Sequence, residues 1–591
     1  MAIRSTLLAL ALLAATPAMS QNPPMASPIP HEVPKVDLGE WTRGSDLQPV
    51  VERFVADRNL LRRSLAISGS PQGRATWKTF YTQWQKELAK VPFAKLTFDG
   101  QVDYLLLKNH LAREARQNEL SEPKAKEGEK WVPFAQTIWD LREKLRRMEK
   151  IEPEKLATEI TTLEKTIAAE SAKVDKAKPV DRGQANRAIQ TATTAKEELK
   201  EWFDFYNGYD PMFTWWVAEP YKRTDAALDA FIGKLKEKLI ANPKEEERVP
   251  PIGAEGLQAD LTAEMIVYSA AELVEIANKE YAWCEAEAKK ASRALGFGDD
   301  WHKAMEHVKG LHVAPGEQPE MIREMAIEAI DYLEKRDLLT IPDLAKQTWR
   351  MTMMSPERQR TSPFFLGGEV IMVSFPTNTM SHEEKLMSMR GNNRHFARAT
   401  VHHELIPGHH MQGFMTARYR PYRGLFNTPF WVEGWALYWE MLLWEMGFPA
   451  TPENKMGMLF WRMHRCARII FSLSYHLGTM TPEQCVDLLV EKVRHERSTA
   501  EAEVRRSFNG SYPPLYQAAY MLGALQIWRM REELVDNGKM KEKEFHDALL
   551  KEGPIPIEMM RAIFTKEKLS ADWQPSWRFY PGIEKGVAKK K

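Results

Sequence analysis

Along most of the chain apolar residues recur three and four positions apart within stretches rich in Ala, Leu, Glu, Lys and Arg, the pattern of helices with one buried face. From Glu40 onward few stretches alternate apolar and polar residues. A mainly α protein is expected, with a large multi-helix body around a central cleft. The segment from Ile138 to Phe203 carries two charged amphipathic runs separated by Lys178-Pro179 and Gly183, and it reads as a long helical hairpin with solvated charges. Prolines and glycines between Pro243 and Leu257 interrupt the pattern and divide an N-terminal helical region, 38–250, from a second region, 251–591. One stretch reads as a strand: Glu369 to Phe375 follows Gly367-Gly368 and stops at Pro376. Helix returns over Arg398 to His403, Trp431 to Met446 and Met456 to His476, and no repeat period indicates a solenoid.

The first residues depart from this pattern. Arg4, the apolar run Leu7 to Ala15 and the small-residue stretch Ala18-Met19-Ser20 form the three parts of an export signal over 1–20. The run is far shorter than the roughly 20 apolar residues a spanning helix needs. Cleavage near Ser20 predicts a mature protein that works outside the cytoplasm, periplasmic or secreted. Residues 21–37 include Pro23, Pro24, Pro28, Pro30 and Pro34, and they read as an extended leader.

Charge and cysteines narrow the function classes. The 82 basic and 81 acidic residues nearly cancel, which argues against a general nucleic-acid or membrane-surface binder. No later segment is apolar enough for stable membrane insertion, and Lys589-Lys590-Lys591 reads as a solvated end. Cys284, Cys466 and Cys485 lack metal-binding spacing and allow at most one disulfide, so core burial must hold the chain together. None of this assigns an oligomeric state.

The densest chemistry is Val401-His402-His403-Glu404-Leu405-Ile406-Pro407-Gly408-His409-His410, which holds four of the fifteen histidines. In the usual zinc-hydrolase helix two histidines four apart face one metal, and the glutamate after the first acts on water. Here Pro407 occupies the fourth position. On an unbroken helix His403 and His409 would point about 120° apart, and His403 and His410 would sit about 10.5 Å apart along the axis. Neither pair could make two Zn–N bonds of about 2 Å. Pro407 clashes with a helical carbonyl four residues back, and Gly408 frees the backbone, so the pair predicts a local bulge that absorbs two residues and brings His409 to the metal. The alternative is a helix end at Ile406 followed by surface histidines. A third ligand is needed, and Glu433 is a lone carboxylate in the apolar run Phe430 to Tyr438. Burial there implies either a metal or an arginine partner.

With both motifs on view, His403 to Gln412 and Glu433-Gly434-Trp435-Ala436, the chain resembles a bacterial domain-of-unknown-function family, number 885, whose members are often exported. That family in turn resembles the gluzincin metallopeptidases, whose ligands are two histidines and a downstream glutamate on helices beside a short strand. The resemblance covers roughly the C-terminal 220 residues. It implies a zinc metallopeptidase with one Zn2+ per chain held by His403, His409 and Glu433, with Glu404 as general base and a peptide as substrate. Some relatives carry His-Glu-x-Gly-His, which aligns with Gly408-His409 and implies His409 rather than His410 as ligand.

Further family patterns are partly kept. Arg465-Cys466-Ala467-Arg468 leads to His476, with Ser472 and Ser474 where the family has Asp and Gly. Glu503-Val504-Arg505-Arg506-Ser507 lacks the family's Tyr, and Tyr516 replaces a Gln ahead of Tyr520 and Gly523. Tyr520 and His476 are candidates to steady an oxyanion, each with an equally plain reading as a core residue. Arg506 is a candidate for a substrate carboxylate, and His410 for a substrate contact. Two other functions fit the same residues: a zinc hydrolase of non-peptide amides or esters, and an exported metal-binding helical protein without hydrolase activity.

Overall fold

The computed structural model describes residues 44–583 apart from 66, 68, 243–247, 360, 361 and 363. The expected export signal, the proline-rich leader and the lysine tail lie outside the described residues. As the periodicity predicts, the fold is mainly α with one small parallel sheet among the described residues.

The principal N-terminal helices are α1 (Gln48–Ser64), α2 (Pro71–Leu88), α3 (Phe98–Glu129), α4 (Ala135–Arg146), α5 (Pro153–Lys176), α6 (Arg182–Tyr206) and α7 (Pro211–Lys234). Their starts are written locally: Ser70, Thr97, Asp181 and Asp210 each accept a hydrogen bond from a first-turn amide. The expected turn after Lys178 forms between α5 and α6. The two helices are not each other's closest partner, however; α5 packs chiefly on α7, and α6 on α3 and α4. Small residues on α6 (Ala185, Ala188, Ala192, Ala195) explain the close approach, because they let neighbouring backbones come near.

Packing divides the chain differently from the sequence break at 243–257. Ile138, Ile160, Leu199 and Phe231 belong to a separate lobe core built from residues 132–240. Val51, Phe54 and Leu107 share one core with Trp435, Leu459 and Met521. The long helix α3 joins both units: Val102 to Leu111 lie in the body, and its later turns lie against the lobe.

The body continues through α8 (Ala270–Ala294), β1 (Arg350–Met353), β2 (Val370–Val373), α9 (Arg394–Glu404), α10 (His409–Thr416), α11 (Pro429–Glu445), α12 (Pro452–His476), α13 (Arg497–Phe508) and α14 (Tyr516–Arg531). The expected strand is present as β2 and pairs in parallel with β1, Arg350 opposite Val370. Its buried residues Ile371 and Val373 pack with Ala397, Val401 and Leu405, which fixes the sheet behind α9. Helices α11 and α14 touch at Gly434 and Gly523, where a Cβ on either would strike the other's backbone. That contact sets Tyr516 and Tyr520 beside Glu433.

Candidate metal centre

Asn393 starts α9 by accepting hydrogen bonds from the amides of His395 and Phe396. Val401 and Leu405 bury on the β2 side, and α9 ends at Glu404. The expected bulge within one helix is here a complete break: a cis Ile406–Pro407 peptide intervenes, and α10 begins at His409. Two backbone bonds nonetheless bridge the break, Gly408 N–H to the His402 carbonyl at 3.0 Å and Met411 N–H to the Leu405 carbonyl at 3.3 Å. Each reaches six residues back where a helix reaches four, so two extra residues are absorbed. Gly408 is required there because a Cβ would collide with the His403 carbonyl. From α11, Trp435 Nε1 donates to the Pro407 carbonyl at 2.7 Å and pins the detour.

Ligand atoms of His403, His409 and Glu433 lie within 4.8 Å of one another. Glu433 Oε2 is 3.6 Å from His403 Nε2 and 3.2 Å from His409 Nε2. The other imidazole nitrogens are occupied: His403 Nδ1 donates to Glu440 Oε1 at 2.7 Å, and His409 Nδ1 to Gln412 Oε1 at 3.1 Å. Gln412 is held in turn by donating to the Trp431 carbonyl at 3.1 Å. Both rings therefore turn Nε2 toward Glu433, the arrangement that orients metal-ligating histidines. Tyr516 donates its hydroxyl to Glu433 Oε1, while Glu433 Oε2 is buried with no hydrogen bond.

Electrostatics of the three groups are tightly linked. Burial pushes the Glu433 carboxyl up, but His409 and His403 outweigh it and hold it well below the usual carboxylate range. Burial opposes the charge of His409, yet Glu433 prevails and raises it to about 9. His403 is likewise raised against burial by the nearby Glu433 carboxylate and its hydrogen bond to Glu440. The triad thus gathers positive charge on its histidines, which a divalent cation would displace. Two imidazoles, one carboxylate and an orphaned buried carboxylate oxygen fit a zinc ion with an open position.

Glu404 is buried beside this triad, and burial raises its carboxyl above the ordinary range. The loop before β2 presses on it: a Cβ at Gly367 would strike the Glu404 side chain, and Gly368 N–H donates to the Glu404 carbonyl at 3.3 Å. His403, Glu404, His409 and Glu433 open together onto a cavity of about 780 Å³, also lined by Tyr512, Tyr516, Tyr520 and Arg506.

A family model described as a bacterial protein of unknown function (DUF885) matches residues 62–563. The chain belongs to this family. The DUF885 match begins within α1 and so extends well beyond the C-terminal 220 residues on which the resemblance was read. A solved structure of a candidate lipoprotein of unknown function from Shewanella oneidensis shares the fold, with TM-score 0.64, 19% identity, and 87% of this chain and 98% of that chain covered. A candidate lipoprotein from Colwellia psychrerythraea aligns with TM-score 0.54 at 15% identity over 88% of this chain and 97% of that chain. No functionally curated protein is detectably similar in sequence.

In this DUF885 fold the remaining residues singled out from sequence fall in two groups. Tyr520 lies in the cavity with its ring 6.2 Å from that of His403, and Arg506 lines the same space. His476 and His410 are not among the cavity-lining residues. His476 ends α12 with its ring edge-on to Tyr475 and Phe508, and burial lowers it to about 4, so it is a neutral core histidine. His410 is turned from His409 by one residue of helix, about 100°, and its Nε2 lies 2.8 Å from the Ala345 carbonyl. Glu440 and Gln412 were not assigned roles from the sequence. Glu440 carried a usable signal, since it follows Glu433 by seven residues and so shares its helix face.

Proposed function

We propose that this protein is a zinc-dependent peptidase that acts outside the cytoplasm, with one zinc per chain held by His403, His409 and Glu433. The observation that carries the reading is the convergence of those three ligand atoms within 4.8 Å, with Glu404 on the same cavity. When bound, zinc supplies Lewis acidity to the scissile carbonyl and to the attacking water. Glu404 accepts the proton of that water and passes it to the leaving amine, and its raised proton affinity suits both transfers. Tyr520 stands in the cavity as a neutral phenol, because burial raises its pKa, and it can donate to developing oxyanion charge. Tyr516 and Glu440 hold Glu433 and His403 in place.

The test is metal analysis of the purified chain together with digestion of an unbiased peptide library. Stoichiometric zinc and peptide cleavage that a chelator abolishes and zinc restores are expected. Zinc without any Glu404-dependent hydrolysis would instead identify a metal-binding protein, and turnover of esters alone a different hydrolase. N-terminal sequencing of the exported product checks cleavage near Ser20.

A further inference from the structure

Beyond Tyr520 the cavity wall holds three arginines. Arg465 and Arg468 stand one turn apart on α12, their guanidinium carbons 4.4 and 4.5 Å from the Tyr520 ring centre, and Arg506 joins them from α13. All three line the cavity, and they are 5%, 2% and 6% exposed. Their partners are too few. Arg468 Nε donates to Glu503 Oε1 at 2.7 Å, while Arg506 Nε stands 3.7 Å from Glu503 Oε2 and its Nη2 donates to the Tyr512 hydroxyl at 3.1 Å. Arg465 makes no hydrogen bond among the described residues. Its closest carboxylate oxygen is Glu440 Oε1 at 3.9 Å, and that oxygen already accepts from His403. Glu503 is thus shared by Arg468 and Arg506, and Arg465 is left with a long approach to Glu440, while Glu404 and Glu433 line the candidate metal site. An arginine cannot shed its proton, so the unused donors of Arg465 call for an anion from outside.

We propose that Arg465, backed by Arg468 and Arg506, is the subsite for the free C-terminal carboxylate of a peptide substrate. A planar guanidinium with unused donors matches a carboxylate by two parallel hydrogen bonds. The arginines are buried everywhere except toward the cavity, so a peptide that reaches them ends there. The ring of Tyr520 separates them from His403, 6.2 Å on one side and 4.4 Å from Arg465 on the other. Less the contacts at its two ends, that span is within the reach of one or two extended residues at ~3.5 Å each. The bond cut is therefore one or two residues from the C-terminus. The substrate class rests on the peptidase reading of the same site; the carboxylate subsite can be read by binding alone.

The experiment uses the zinc-loaded full chain and peptides identical except for a C-terminal acid or amide. The acid is expected to be cut about 30- to 100-fold faster in kcat/KM, releasing single residues or dipeptides. Arg465→Met is expected to erase that preference, and Arg465→Lys to restore part of it. Equal rates for acid and amide in the unaltered chain, or cuts spread over interior bonds, overturn the proposal. So does an amidated peptide with an internal Glu that is cut as fast as the acid, because it assigns the arginines to a side chain. If neither peptide is cut, the peptidase reading fails by itself, and calorimetry on Glu404→Gln then decides the subsite. Tighter binding of the acid by at least about tenfold, lost when Arg465→Met is added, supports it; equal affinities overturn it.

Discussion

The lobe of residues 132–240 and the metal-site helices are both α-helical and both well buried, yet they sort their residues by opposite rules. Among the described residues of the lobe, Thr224 is the one buried polar side chain, and the charged residues of α5 to α7 lie at or near the surface. Around the metal site His402, His403, Glu404, Glu433, Glu440, Arg465, Arg468 and Glu503 are all buried. A segregated core gains from every apolar contact, whereas buried charges cost desolvation and are stable only as a set. The lobe is therefore organised for stability, and the site carries groups that stability alone would not select.

That contrast can be broken by substitutions on either side. The largest expected effect is complete loss of metal: His409→Ala should empty the site, and His410→Ala should leave it filled, as read by zinc content after dialysis. The reverse outcome would falsify the ligand assignment while leaving the fold untouched. Next, Glu404→Gln should keep zinc and lose hydrolysis by about 10² to 10⁴. Near-native turnover with zinc bound would remove Glu404 from its role. On the other side, Ile160→Ala in the lobe core should cost about 2–5 kcal/mol of stability in a denaturant titration and leave zinc content unchanged. If it emptied the site, the two regions would be one cooperative unit. Glu440→Gln should weaken zinc affinity by about 10- to 100-fold, because it loosens the ring of His403.

The smallest expected effect is a slope. In zinc-free protein, His409 is raised from 6.5 to about 9, so its contribution to stability is complete below about pH 6.5 and is lost as pH rises through 9. Thermal unfolding with and without zinc at several pH values checks this. The zinc-free chain should weaken over that window, and the zinc-bound chain should not follow it.

The same contrast explains what was legible in the sequence. Regular periodicity marks helices, and β2 was visible because Val370 to Val373 is a β-branched apolar run after two glycines. Its partner β1, Arg-Met-Thr-Met, alternates over four residues only, too short a run to stand out, and it pairs in parallel with β2. The Pro/Gly-rich break at 243–257 is real in the pattern, but the packing boundary depends on where α3 lies, and that is a long-range fact. At the site the dense histidines and the isolated Glu433 pointed to three side chains whose ligand atoms lie within 4.8 Å of one another. His476 and His410 have the same chemistry as His403 and His409, and only their direction sets them apart. The three arginines were visible as letters, but which carboxylates they share is set only once α12 meets α11 and α13.

The Trp435 contact with the Pro407 carbonyl gives the site an unusual kind of inheritance. Glu433, the proposed third ligand, and Trp435, the clamp that secures the two-residue detour, sit two positions apart on one helix, so they move as one part. The interval between the histidines can therefore be longer than in a simple zinc helix without loosening the ligand geometry, provided the clamp travels with Glu433. A pattern that counts residues between histidines passes over such a site. One that couples the first His-Glu pair to a downstream Glu-Gly-Trp finds it, because it follows the parts that hold each other.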